Sequence, residues 1–129
     1  MKILVAYDKN TTWENVLAQA VNRAKLFNAY IYLVRTCSPD RDEQEIAGLV
    51  HRINEVRREH FKSQGIECES HVLIRGLDPG EDLVQYAREK GVDEIIIGVV
   101  HQSKVGKALF GSVAQHIILN AHCPVVCVK

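Results

Sequence analysis

Neither sign of charge predominates: Lys plus Arg and Asp plus Glu number 16 each, and the formal net charge is zero. A neutral chain lacks the broad positive field that holds phosphodiester backbones, which argues against RNA or DNA as a partner. No apolar run approaches the roughly 20 residues that cross a bilayer, so no membrane role is expected. The opening stretch, Met1-Lys2-Ile3-Leu4-Val5-Ala6-Tyr7-Asp8, meets an acidic residue too early for a secretory leader and reads as a first strand. A cytoplasmic protein is expected. Low-complexity stretches, long linkers and obvious internal repeats are also missing. The cysteines are few and scattered (Cys37, Cys68, Cys123 and Cys127), unlike the dense framework of a small secreted scaffold, and they read as reduced thiols in or near the core. The group His122-Cys123-Pro124 with Cys127 has no second pair to complete a zinc site.

What is present is an ordinary globular composition, 47% apolar and 25% charged over 129 residues. That fits one domain, residues 1–129, with a core of its own. Residues 2–7 form an apolar run suited to a strand covered on both faces. Thr11 and Glu14 have capping-box spacing ahead of a helix carrying Val16, Ala20, Ala24 and Phe27. A second strand is expected at 30–35. After Ser38-Pro39-Asp40 comes a helix with Ile46, Leu49, Val50, Ile53, Val56 and His60-Phe61 along one stripe, ending near Gly65.

Residues 66–75 alternate in polarity, which suits an edge strand with one wet face. Asp78-Pro79-Gly80-Glu81 opens another helix, with proline at its first position and Gly91 at its close. Glu94-Ile95-Ile96-Ile97-Gly98 reads as a buried fourth strand, and a loop is expected from Val99 to Phe110. A last helix starts around Gly111-Ser112, with Val113, Ile117 and Ala121 inward, and the strand Val125-Val126-Cys127-Val128 closes the chain.

Five alternations of strand and helix with short connections imply an α/β fold. It is doubly wound, a mostly parallel five-stranded sheet with helices on both faces, Rossmann-like or of the adenine nucleotide alpha hydrolase-like type. Such sheets bind ligands beyond the carboxyl ends of the strands, where the winding reverses. If the first and fourth strands are neighbours, Asp8 and Gly98 open onto one crevice.

The stretch from Gly98 through His101, Lys104 and Lys107 to Gly111 and Ser112 is the informative one. A buried strand ends in glycine, a basic loop follows, and Gly-Ser begins a helix whose free N–H groups and positive dipole end suit a phosphate. No Gly-Lys-Ser/Thr tripeptide is present, which excludes a Walker A loop. On physics alone the stretch reads equally as an anion site or as an ordinary helix cap with solvated lysines.

Three motifs carry a resemblance. Gly98, followed by Gly111-Ser112, matches the first and third elements of a Gly-x2-Gly-x9-Gly-Ser/Thr pattern; Cys123-Pro124-Val125 matches an Ala/Cys-Pro-Val entry to the final strand; Val5-Ala6-Tyr7-Asp8 is similar to a Val-x-x-Asp strand end. Together they resemble the universal stress protein family along the whole chain. The segment 75–81 looks like that family's Gly-x-Pro-x-Glu helix opening with one residue inserted. His101 departs from the pattern, standing where its second glycine lets a phosphate lie against the backbone. A side chain there either blocks the phosphate or donates a hydrogen bond to it.

The resemblance implies an adenine nucleotide, ATP with Mg2+ or AMP. It places Asp8 near the ribose or the triphosphate with its metal, and Thr36 near the adenine. Gly98 and His101 would border the ribose and phosphates, and Gly111, Ser112 and Val113 the phosphate tail, with Lys104 and Lys107 supplying charge. Read from the residues alone, Asp8 is equally a helix cap and Thr36 equally a strand end.

No triad or metal-ligand cluster is legible, so binding with at most slow hydrolysis is expected rather than a dedicated enzyme. His51 and His60 lie half a turn out of phase on one helix and share no ligand face. Trp13, at a helix start, reads as a packing residue. Two functions compete: a regulatory nucleotide-binding protein of the stress-response type, and an interaction module that binds no nucleotide and works as a homodimer. The second rests on the last strand, apolar at all four positions, which at a sheet edge would be covered by its own copy.

Overall fold

The structure is a computed structural model that describes residues 1–9, 11–102, 106 and 108–129. Its strands are β1 (Lys2–Ala6), β2 (Tyr30–Thr36), β3 (Cys68–Leu73), β4 (Glu94–Gly98), β5 (Val100–Gln102), β6 (Ala108–Phe110) and β7 (Val125–Val128). The helices are α1 (Trp13–Phe27), α2 (Glu43–His60), α3 (Pro79–Lys90) and α4 (Ser112–Asn120), with a 3-10 turn at Lys62–Gln64.

Five strands form one sheet in the order β3-β2-β1-β4-β7, and every pairing in it is parallel. Chain order runs outward from β1 through β2 to β3, then returns to β4 on β1's other side. The switch point therefore falls between β1 and β4, as the crevice argument requires. The parity of the strands sorts the core into two layers. Ile3, Val5 and Tyr7 face α1 and α2, beside Leu17, Ala20, Ile53 and Val56. Leu4 and, on the other strands, Val34, Ile95 and Ile97 face α3 and α4, beside Leu83, Ala87, Ala114 and Ile117. Helices thus cover both faces.

Two buried carboxylates tie helices to this frame. Glu94, 5% exposed at the start of β4, accepts both arms of the Arg23 guanidinium from α1, Nη2 at 2.6 Å. Asp82, 1% exposed in α3, accepts Arg75 Nε at 2.6 Å, and the same guanidinium reaches Glu89 at 2.8 Å. Removing either arginine strands a carboxylate away from water.

Four local expectations are corrected. The capping box at Thr11 and Glu14 does not form: Thr12 is the N-cap without a side-chain bond, and Thr11 Oγ1 instead donates to the Asp8 carbonyl at 2.8 Å. The expected loop 99–110 contains an antiparallel ribbon, with Val100 opposite Phe110, His101 opposite Leu109 and Gln102 opposite Ala108. The inner side of α4 is Ala114 and Ile117, whereas Val113 is exposed. Of the stripe expected along α2, Ile53, Val56 and, just past the helix, Phe61 are buried, whereas Ile46 and Leu49 are half-buried and Val50 is exposed. At about 1.5 Å per residue α2 outruns the strands it packs on, so the first turns, with Val50, stand clear of them.

At the outer edge, β3 carries a polar chain on its wet face. Tyr30 Oη donates to Glu69 at 2.8 Å, and His71 Nε2 contacts the other Glu69 oxygen. Burial pushes the Glu69 carboxyl up, but the hydrogen bonds from His71 and Tyr30 together outweigh it and hold the group below 4.5. Burial and the Glu69 bond likewise push Tyr30 up to about 12. A carboxylate depressed in the fold contributes stability that is complete above the unfolded value and lost as pH falls through the folded one. Urea midpoints should therefore decline from about pH 4.5 downward. In Glu69→Gln that acid decline should be shallower than in the parent chain, as followed by circular dichroism.

Candidate functional site

Three connections meet over the carboxyl ends of β1, β2 and β4. The chain leaves β1 through Tyr7 and Asp8, and the Asp8 carbonyl is held by the Thr11 amide at 3.2 Å and the Thr11 hydroxyl at 2.8 Å. This turn lies directly against Gly98. A β-carbon at position 98 would approach Thr11 Oγ1 to 2.7 Å and Thr11 Cβ to 2.8 Å. Glycine is required there by close approach, not by backbone angle, because its φ is not in the left-handed region.

The third connection brings the chain from β4 to α4. The Gly111 amide donates to the Val99 carbonyl at 3.3 Å, which closes the base of the ribbon and sets Gly111 as the N-cap of α4. No side chain caps this helix. The amides of 112–114 thus face outward at the positive end of a helix dipole.

Between these connections lies a groove of about 260 Å³. Its apolar floor is made by Ala6, Val34, Leu83, Ile97 and Ile117, all from the α3–α4 side of the sheet. Its polar rim is Asp8, Thr11, Arg35, Thr36, Gly98 and Ser112. An apolar bed for a flat ring, with donors at one end, suits a ligand that is part heterocycle and part anion.

Of the nine residues singled out by sequence, six line this one groove: Asp8, Thr36, Gly98, Gly111, Ser112 and Val113. His101 is placed by its backbone alone, in β5 opposite Leu109. Lys104 and Lys107 lie outside the described residues. Sequence reasoning missed the floor residues and Thr11. The strand part of the floor, Ala6, Val34 and Ile97, lies on one parity toward the strand ends and could have been found from that, whereas Leu83 and Ile117 come from α3 and α4. Thr11 carried no such signal.

Three other histidines have partners away from the groove. His51 Nε2 pairs with Glu55 at 2.7 Å, His60 stacks edge-on to Trp13 at 6.4 Å, and His122 Nε2 contacts the Val92 carbonyl at 3.0 Å. Trp13 also meets Tyr7 edge-to-face at 5.9 Å, the packing role its sequence position suggests.

Gly98→Ala should cost about 1–3 kcal/mol, because the added methyl must displace a hydroxyl already hydrogen-bonded to the backbone. Gly48→Ala is the control: an exposed mid-helix glycine with nothing within 4 Å of the added carbon, it should gain up to about 1 kcal/mol. Opposite shifts in denaturant midpoint would establish the contact.

Comparison with known proteins gives one consistent result. The sequence pattern of the Universal stress protein family matches residues 1–129. A universal stress protein of Methanocaldococcus jannaschii is 29% identical, over 99% of this chain and 81% of its own length. One from Thermus aquaticus is 28% identical, over 98% and 97%. Among solved structures, a universal stress protein from Archaeoglobus fulgidus superposes with a TM-score of 0.85 at 34% identity, covering 100% of this chain and 98% of its own. A universal stress protein structure from the same organism, solved in complex with dAMP, gives 0.81 at 31% identity over the same shares.

Proposed function

This chain belongs to the universal stress protein family, and from that premise we propose that it is a cytoplasmic regulatory protein of the stress response that binds an adenine nucleotide in the groove over β1 and β4. The observation that carries the reading is the meeting of an apolar bed with the uncapped start of α4 in one groove. Thr36 and the floor residues take the base. Asp8 and Gly98 border the sugar, and Gly111, Ser112 and Val113 receive the phosphate. The dAMP complex of the Archaeoglobus fulgidus relative, at 31% identity, supports the choice of ligand class. ATP with Mg2+ remains within the reading, Asp8 being the carboxylate at the mouth that would face a metal.

The reading is one of binding. A thermal-shift titration with AMP and with ATP plus Mg2+ tests it. A ligand at one hundred times its dissociation constant stabilises by about 2.7 kcal/mol, so a raised melting temperature is expected, and none at millimolar nucleotide would refute it. Ser112→Glu separates site from stability. An acidic residue in the first turn suits the helix dipole, so the apo protein should keep or slightly raise its melting temperature. Nucleotide affinity should meanwhile fall by at least about tenfold, because the new carboxylate faces the phosphate.

A second reading, compatible with the first, is a homodimer through β7. This strand ends the sheet, Cys127 on it is exposed, and Leu119 of the preceding helix is 81% exposed. The Ile95 amide donates to the Pro124 carbonyl and the Val99 amide to Val128, so residues 124, 126 and 128 bond inward and the groups of 125 and 127 point out. Cys127→Pro removes one outward donor without touching the ladder to β4. Light scattering should show a dimer for the parent chain and a monomer for the variant.

A further inference from the structure

We propose that Arg35 makes the groove a site for 6-oxopurine nucleotides, those of hypoxanthine and guanine, as well as for adenine nucleotides. The inference rests on the reading of the groove as a nucleotide site and bears only on its base end, where Thr36 lies.

The path of β2 supplies the geometry. Carbonyls at its even positions point toward β1, as the Val34 carbonyl does in accepting the Tyr7 amide at 2.8 Å. Thr36, two residues on, therefore turns its carbonyl over the carboxyl end of β1, at the mouth of the groove. The Arg35 side chain leaves β2 on the opposite face, the one Leu33 presents to the α1–α2 layer. Yet Arg35 Nε donates to the Thr36 carbonyl at 3.3 Å, which folds the guanidinium across the strand end. Half-buried, Arg35 is one of the residues lining the groove. Among the described residues it is the only cation that does so.

Arginine carries donors only, set in a rigid planar fork. Nε is used on Thr36, and among the described residues the two terminal nitrogens bond no other group. A base whose edge meets that fork is read by the acceptors it offers. A 6-oxopurine presents O6 and N7 side by side, which two guanidinium N–H groups match as a pair. Adenine presents N7 beside an amino group, a donor facing donors, and takes only one of those bonds. The Thr36 carbonyl, an acceptor such an amino group would seek, already accepts from Arg35. The one carboxylate lining the groove, Asp8, borders the sugar in this reading. Adenine keeps the apolar floor and a single bond, so it is accepted, but the fork favours the oxo form.

Calorimetric titration of the full chain with AMP and with IMP tests the proposal, because the two share sugar and phosphate and differ at the edge of the base. IMP should bind within about threefold of AMP, or more tightly. IMP weaker by more than that overturns the proposal while the adenine reading stands. IMP binding without AMP overturns the adenine reading alone, and if neither binds, both fall. Arg35→Leu tests the cause: IMP affinity should drop at least about tenfold, and AMP affinity by no more than about threefold. An equal drop for both would assign Arg35 to the phosphate or the fold, and overturns its role as a reader of the base. Arg35→Lys keeps the charge without the fork, and it serves also if circular dichroism shows that leucine disturbs the fold. The IMP-to-AMP affinity ratio should fall in that variant too; a ratio held at the parent value overturns the two-pronged contact.

Discussion

The pairing of β1 with β4 is the constraint on which the rest of this molecule depends. Its register, Ile3 with Glu94, Leu4 with Ile95 and Val5 with Ile96, puts two strands side by side whose following connections leave in different directions. The turn after β1 leads to α1 on one face, and the ribbon after β4 leads to α4 on the other. Two connections diverging from adjacent strands leave a gap that neither fills, and the groove is that gap. Position 98 is where they come nearest, so a glycine stands against Thr11 and the rest of the rim takes its place from there.

Two buried carboxylates are paired at joints of the fold. Arg23 and Arg75 each bring a guanidinium to a buried carboxylate, the first joining α1 to β4 and the second fastening α3 to the chain after β3. A buried pair returns little net stability once its desolvation is counted, but one with two-pronged geometry tolerates few alternative placements of the elements it joins. The α3–α4 side of the groove is set in the same restrictive way. A β-carbon at Gly80 would lie 2.8 Å from His116 Cβ, so these helices meet at close range, and Leu83, Ala114 and Ile117 are held beneath the rim.

The connection from β4 to α4 departs furthest from what its residues suggest. Its glycines and lysines suggest an open loop, yet its ends pair as a ribbon that Gly111 closes at the base. Backbone donors in such a segment serve either a neighbouring strand or a bound anion, and the same amide cannot serve both fully. The start of α4 escapes that competition because a helix leaves its first amides without partners.

Much of this was legible in the chain itself. Apolar runs, helix-start signals such as Asp78-Pro79, and the alternation at 66–75 fixed the element order, because burial on one or two faces leaves a period in the residues. Asp78 does cap α3, its carboxylate accepting the Gly80 amide at 3.2 Å, and β3 does lie at an edge. Of the six candidate residues in the groove, Asp8, Gly98, Gly111 and Ser112 were recognisable from strand ends and the start of a helix, and Thr36 and Val113 only through the family resemblance. Tertiary structure alone decided that β1 and β4 touch, that Thr11 turns back onto Asp8 instead of capping α1, and that 100–102 pairs with 108–110. The physical reason is the same in each case. These features join groups whose partners are chosen by geometry after the layers have packed, and local sequence carries no term for a contact that exists only then.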